Sequence, residues 1–472
     1  MEFEVSYDLE SAEQFWDELD DIVSAHAGSH ETIDNALRSY LRFTSNYKDE
    51  YLQSDYDVAR CTYKLLESAL FKAHMEYVRR QIVYGLLQED ESQTLHLITA
   101  ILLYDGRNHD ETFQMMQTEG AFPRLIELIR SHGINGSEVD RDLHRLLLDL
   151  LYEMSRMQRL TWEDLTSIND EFVLYLFQII EELSDDANDP YHYPVIRVLL
   201  VLNEQYMVMS ATGAPITNRV VKMLSSHGNS YKTFGENLIL LLNRESETSL
   251  QLLILKLLYL VFSSQSTAEY FYTNDLHVLL DVILRNLLDL PGPLEDSSDG
   301  KTSGMLRHTY LRVLHVLLAH SQLKRPGMGY KRDEVCKILR LLGSNYNPEA
   351  NGHSEQYMNS MSSGMFAHFA PIDPTTLRLA RRCAAVDWLG DAVGEKETVS
   401  PILTISPASR QKEVARRHLL GMSSPQGGES ALSVIEMAEQ KEKPGVLSPS
   451  RIRNANGLGV GMETGIAEAE AA

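Results

Sequence analysis

The stretch SLQLLILKLLYLVFSS, residues 249–264, leaves this chain few ways to fold. From Leu250 to Phe262 every residue is apolar except Gln251 and Lys256. As a helix, at ~1.5 Å rise per residue, this run reaches roughly 20 Å, short of the ~30 Å hydrocarbon core of a bilayer, and Lys256 near its middle would be costly there. No other apolar run is longer. The opening MEFEVSYDLESAEQFWDELDD is acidic and lacks a basic segment followed by an apolar one, so no secretory leader is expected. The stretch is expected as a helix covered by other helices on nearly every side, which requires a layered helical fold.

Helical periodicity runs through the rest of the chain. In LHRLLLDLLYEM (143–154), Leu143, Leu146, Leu147, Leu150, Leu151 and Met154 share a face, opposite Arg145, Asp149 and Glu153. DLHVLLDVILRNLLD (275–289) repeats the pattern, with His277, Asp281, Arg285 and Asp289 as its expected solvated stripe. Thr161 and Asp164 form a capping-box pattern, and Asp189 with Pro190 marks another helix start. No alternating strand pattern is found.

TLHLITAILLY (94–104) also resembles SLQLLILKLLY (249–259) at an offset of 155, and MMQTEGAFPRLIELI resembles YFYTNDLHVLLDVI further on. A long apolar helix, a short helix and a second amphipathic helix recur in order. An offset of 155 is roughly four units of ~39 residues, in the armadillo/HEAT range. Each such unit has an apolar face that only its neighbours can cover. The fold class expected is all-α, an armadillo/HEAT-like helical-repeat solenoid over residues 1–392. PTTLRLARRCAAVDWL (374–389) is its last docking helix. A disordered Ser/Pro/Gly-containing tail is expected over 393–472, with Ser-Pro dipeptides at Ser400, Ser406, Ser424 and Ser448.

Cys61, Cys336 and Cys383 are far apart and have no metal-ligand spacing, which suits a reducing compartment. Catalytic signatures are missing: there is no P-loop, HExxH, GxSxG or CxxC. GLGVGMETG (457–465) follows no strand, HAGSH (26–30) reads as a surface turn, and SDDAND (184–189) reads as a connecting loop. No enzyme activity, cofactor or metal is expected.

The formal charge of −24 is unevenly spread. Residues 1–60 hold 15 Asp/Glu and 4 Lys/Arg, net −11, whereas residues 301–342 hold 9 Lys/Arg and 2 Asp/Glu, net +7. The whole chain should be repelled by nucleic acid and anionic membranes, yet one segment could dock on an acidic protein surface. Arg307, His308, Arg312, Lys324, Arg325, Lys331 and Arg332 are the candidate contact residues. NEQ (203–205) and NRE (243–245) are better read as caps at helix ends.

NDPYHYPVIRVLLVLNEQYMV (188–208), TFGENLILLLNRE (233–245), YFYTNDLHVLLDVILRNLLDLP (270–291), LRHTYLRVLHVLL (306–318) and YKRDEV (330–335) together resemble the armadillo-like leucine-rich domain of the WISH/DIP/SPIN proteins, in its short fungal form. The match is densest over 188–340. The resemblance implies a cytoplasmic protein of cortical actin patches. It would bind the actin-related protein 2/3 complex, and indirectly actin, and activate the complex without a preformed filament, giving linear seed filaments for endocytosis. Unlike the larger animal members, the sequence opens directly into acidic helices with no N-terminal SH3 domain expected, and its tail contains no PxxP, so SH3 docking through the tail is not expected. The competing reading is a helical-repeat cortical scaffold with no direct effect on actin assembly.

Overall fold

The computed structural model describes residues 9, 11–24, 29–133, 138–183, 192–290, 298–325, 329–343 and 372–390. The tail expected over 393–472 lies outside them, as do the 184–189 loop and the helix start expected at Asp189 and Pro190. Every regular element among the described residues is helical. The chain divides into two compact units, Met1–Ile179 with Pro190–Val220, and Ile180–Asp189 with Val221–Ala472.

The helices of the first unit are α1 (Ala12–Val23), α2 (His30–Asn46), α3 (Lys48–Tyr51), α4 (Asp55–Leu66), α5 (Ala69–Ala73), α6 (Met75–Gln88), α7 (Ser92–Asn108), α8 (Asp110–Thr118), α9 (Ala121–Ser131), α10 (Glu138–Met157), α11 (Trp162–Ser167), most of α12 (Asp170–Glu182), and α13 (His192–Ala211). The second holds most of α14 (Arg219–His227), then α15 (Lys232–Arg244), α16 (Thr248–Ser263), α17 (Thr273–Asp289), α18 (Ser298–His320), α19 (Arg332–Gly343), α20 (Pro374–Ala384) and α21 (Asp387–Gly390).

In the first unit α4, α7, α10 and α13 pack successively side by side. The Ser92 hydroxyl donates to Asp140 at 2.7 Å near the starts of α7 and α10, and Arg107 meets Glu153 at 3.5 Å near their ends, so the two helices run the same way. Shorter helices α6 and α8 also pack on α7, and α9 packs against α6, α8 and α10. Residues Leu95 to Leu103 of α7 are buried without a break, as expected of a helix with neighbours all round. Thr161 and Asp164 form the expected capping box: the Asp164 N–H donates to Thr161 Oγ1 at 3.1 Å and the Thr161 N–H to Asp164 Oδ2 at 3.0 Å.

The second unit repeats the device. The run that opened the sequence analysis is α16, with Leu250, Leu253, Ile254, Leu255, Leu257, Leu258, Val261 and Phe262 buried. One rim, around Tyr259, stays open. Tyr310 donates to Gln251 at 3.3 Å near the N-terminal half of α16, and His320 Nδ1 lies 2.9 Å from the Phe262 carbonyl near its end, so α18 runs parallel to α16. The sequence repeat is therefore structural, with one correction. The short helix α8 after α7 has no helical counterpart after α16. There the chain makes a turn, held by Thr267 Oγ1 donating to the Val261 carbonyl at 2.7 Å. The three cysteines are buried free thiols.

Candidate interaction surface

Helix α18 is the backbone of the charged segment. Leu306, Tyr310, Leu311, Val313, Leu314, Leu317 and Leu318 are buried. They pack against α16 and α17 on one side and α20 on the other. That leaves a narrow outer stripe in which Met305 and Arg312 are exposed. Helices α20 and α21 lie along α18 at three points. Asp373, the N-cap of α20, is 2.9 Å from His308 Nε2; the Cys383 thiol donates to the Leu311 carbonyl at 3.3 Å; Trp388 Nε1 donates to the Leu318 carbonyl at 2.9 Å.

This packing sorts the seven candidate residues. Arg312, Lys324 and Arg325 are exposed, and Arg325 pairs with Glu269 at 2.6 Å in a surface ion pair. Arg332, the first residue of α19, is half-buried. Arg307 is corrected from surface to interior. It is 3% exposed, and its Nη2 donates at 3.2 Å to the carbonyl of Leu290, the C-cap of α17. Burial lowers its pKa, an effect that Asp373 partly offsets. His308 serves the fold as well. Together with the Thr375 and Thr376 N–H groups, each 2.9 Å from Asp373 Oδ1, it holds the α20 N-cap. Burial of Asp373 opposes its charge, but the bonds from Thr376 and His308 outweigh burial and keep the carboxyl below its ordinary range.

Lys331 is the second correction. Its side chain is 7% exposed and ion-paired with Asp281 at 2.8 Å. The supposed solvated stripe of α17 is thus largely covered. The His277 ring stacks on Tyr330 at 3.9 Å and 14°, Asp281 takes Lys331 and the Tyr330 hydroxyl, and Arg285 Nη2 donates to Asn243 Oδ1. Of the four, Asp289 alone is exposed. The sequence could not show that the start of α19 would fold over this stripe.

Of the NEQ and NRE residues, only Glu245 caps its own helix, as the C-cap of α15; NEQ lies inside α13 and serves its neighbours instead. Gln205 accepts from the Leu160 N–H at 3.1 Å and donates to the Ser155 and Gln158 carbonyls, closing the C-terminal end of α10. Asn203, fully buried, accepts from Asn218 at 2.8 Å. Glu245 accepts from the Glu247 N–H at 2.7 Å just ahead of α16.

Three arginines join the exposed surface from far along the chain. Arg378, Arg381 and Arg382 lie on one face of α20, at i, i+3 and i+4 spacing, all exposed. Arg382 is close enough to His315 of α18 to affect its titration. Burial first, then Arg382 and His320, lower the His315 pKa, so at neutral pH His315 is uncharged and the face owes its charge to arginine. The signal was in the sequence, as RLARR in the last docking helix. Nothing there placed it beside Arg312.

What the fold defines is an all-α helical-repeat protein. Residues 188–335 match the family described as SPIN90/Ldb17, leucine-rich domain. The chain is 30% identical over 330 residues to Protein dip1 of Schizosaccharomyces pombe, covering 69% of this chain and 86% of that one. It is 29% identical over 357 residues to Protein LDB17 of Eremothecium gossypii, covering 70% and 75%. It is 28% identical over 378 residues to Protein LDB17 of Saccharomyces cerevisiae, covering 70% and 74%. The chain belongs to the SPIN90/Ldb17 leucine-rich domain family.

Proposed function

We propose that this protein binds the actin-related protein 2/3 complex through the exposed arginine face of α18 and α20 and shifts it to its active arrangement with no preformed filament. Linear seed filaments for endocytic actin patches are the product. The observation that carries the reading is that Arg312 of α18 and Arg378, Arg381 and Arg382 of α20, a helix packed on α18, are all exposed in a chain whose formal charge is −24. A ligand moves a conformational equilibrium only by its differential affinity for the two states. That task needs a stiff body and a complementary surface, and helix α18, packed on both flanks, presents its charges from a rigid base. Family resemblance supplies the partner, and charge supplies the face. No helix among the described residues is long and apolar enough to cross a membrane.

The test is actin polymerisation with purified complex and no filament seeds. Added protein shortens the lag, and Arg312→Glu with Arg381→Glu lengthens it again while leaving the melting temperature unchanged. A lag unaffected by micromolar protein refutes the reading in favour of a scaffold without effect on assembly.

A further inference from the structure

The arginine face stands at the root of a long stretch of chain. Helix α21 ends at Gly390, pinned to α18 by Trp388, and 82 residues follow, from Asp391 to Ala472. Ser400 and Ser406, each followed by proline, come ten and sixteen residues after Gly390. Ten extended residues span up to about 35 Å. Arg378 lies twelve residues before Gly390, about 18 Å at helical rise, so the segment is long enough to span α20. Arg378, Arg381 and Arg382 are exposed and make no ion pair with a described residue. Each doubly charged phosphate offers acceptor oxygens that guanidinium groups match in bidentate fashion.

We infer that the segment around Ser400 and Ser406, once phosphorylated, docks in cis on the arginine face of α20 and Arg312. Phosphorylation transfers the γ-phosphoryl group of a nucleoside triphosphate to the serine Oγ, with loss of the hydroxyl proton and release of the nucleoside diphosphate. Tethering gives an effective concentration on the order of millimolar, so modest affinity suffices for occupancy. Docked there, the segment covers the charges that the proposed function assigns to the partner complex. Its inhibitory consequence rests on that reading, while the docking itself does not.

The experiment titrates the full unphosphorylated chain into a fluorescent peptide of residues 396–410 bearing phosphate on Ser400 and Ser406, read by anisotropy with no other protein present. The phosphopeptide should bind at least about tenfold more tightly than its unphosphorylated form. Arg378→Gln with Arg382→Gln, or the same pair changed to Glu, should remove most of that difference without shifting the melting temperature. Equal affinity of the two peptides overturns the inference, as does undiminished binding to a folded variant. Phosphatidylserine vesicles that sediment the chain through these arginines while the phosphopeptide stays unbound also overturn it, assigning the face to a membrane. Failure of the functional reading appears separately, in the polymerisation lag of the unphosphorylated protein.

Discussion

Lys331 Nζ stands 2.8 Å from Asp281 Oδ2, with 7% of the lysine side chain exposed. The pair fastens the turn just ahead of α19 to the middle of α17. Lys331 adopts a φ of 50°, which a residue with a Cβ holds only where its surroundings fix it. Burial raises the Asp281 pKa, and Lys331 and Tyr330 offset part of that rise. Lys331→Ala would strand the buried carboxylate and is expected to cost about 3 kcal/mol or more. Lys324→Ala, at an exposed site, should change stability by less than about 0.5 kcal/mol. Urea unfolding with matched midpoints for the two variants would remove the structural role assigned to the pair.

Arg307 and Arg312 are five residues apart on α18 and should fail in different ways. Arg307 closes the end of α17 from the interior, so Arg307→Ala is expected to lower stability by about 1–3 kcal/mol. Arg312 is exposed, so Arg312→Glu should weaken partner binding most at low ionic strength, where screening is least, and leave the unfolding midpoint unchanged. Thermal unfolding together with a salt series of binding isotherms separates the two. A salt-dependent binding defect in a stable Arg307 variant would contradict its interior placement.

Leu255 is fully buried in α16. Leu255→Ala should cost about 2–5 kcal/mol through lost contacts and a cavity. Leu255→Asp should prevent folding of the second unit, because it places an unpaired charge there. Circular dichroism of the Asp variant checks this, and a wild-type melting curve would show that α16 is not an inner helix.

Asp275, 3% exposed in the first turn of α17, has a pKa raised to about 6, by burial first, with the Tyr272 backbone and Lys232 opposing. The folded protein therefore holds a proton here that the unfolded chain releases nearer its ordinary carboxylate value. This contribution to stability is greatest at acidic pH and is lost as pH rises through about 6. Asp275→Asn should therefore gain stability over the wild type at pH 7 compared with pH 5, so that the variant-minus-wild-type difference rises across this range. A difference that stays flat between those pH values would count against the shift.

Gly106 faces the ring of Phe113, and an added Cβ would clash with its Cε1, Cζ and Cε2 atoms. Phe113 is fully buried in α8 and has no room to retreat. Gly106→Ala gains up to about 1 kcal/mol in helix propensity but should lose about 1–3 kcal/mol to overpacking, for a net drop in melting temperature. An unchanged or raised midpoint would mean that α8 can shift away from α7.

Much of the fold was legible in the sequence. The long apolar runs in α7 and α16, the stripe of α10 and the Thr161–Asp164 capping box depend on neighbours one to four residues away, and local pattern reports such neighbours directly. The internal repeat gave the stacking of the long helices, but not that a turn would replace the short helix after α16.

The interaction surface was only half legible. Composition and spacing by themselves determined that the chain folds as stacked helices and that it carries a cationic segment within an acidic whole. Only tertiary packing decided which of those cations meet solvent. Arg307 and Lys331 turned inward because Leu290 and Asp281, 17 and 50 residues earlier in the chain, needed partners. Arg378, Arg381 and Arg382 joined Arg312 because Cys383 and Trp388 seat α20 and α21 on α18 across more than 60 residues of chain. A side chain's exposure depends on which helix lies over it, and contacts between distant segments set that choice.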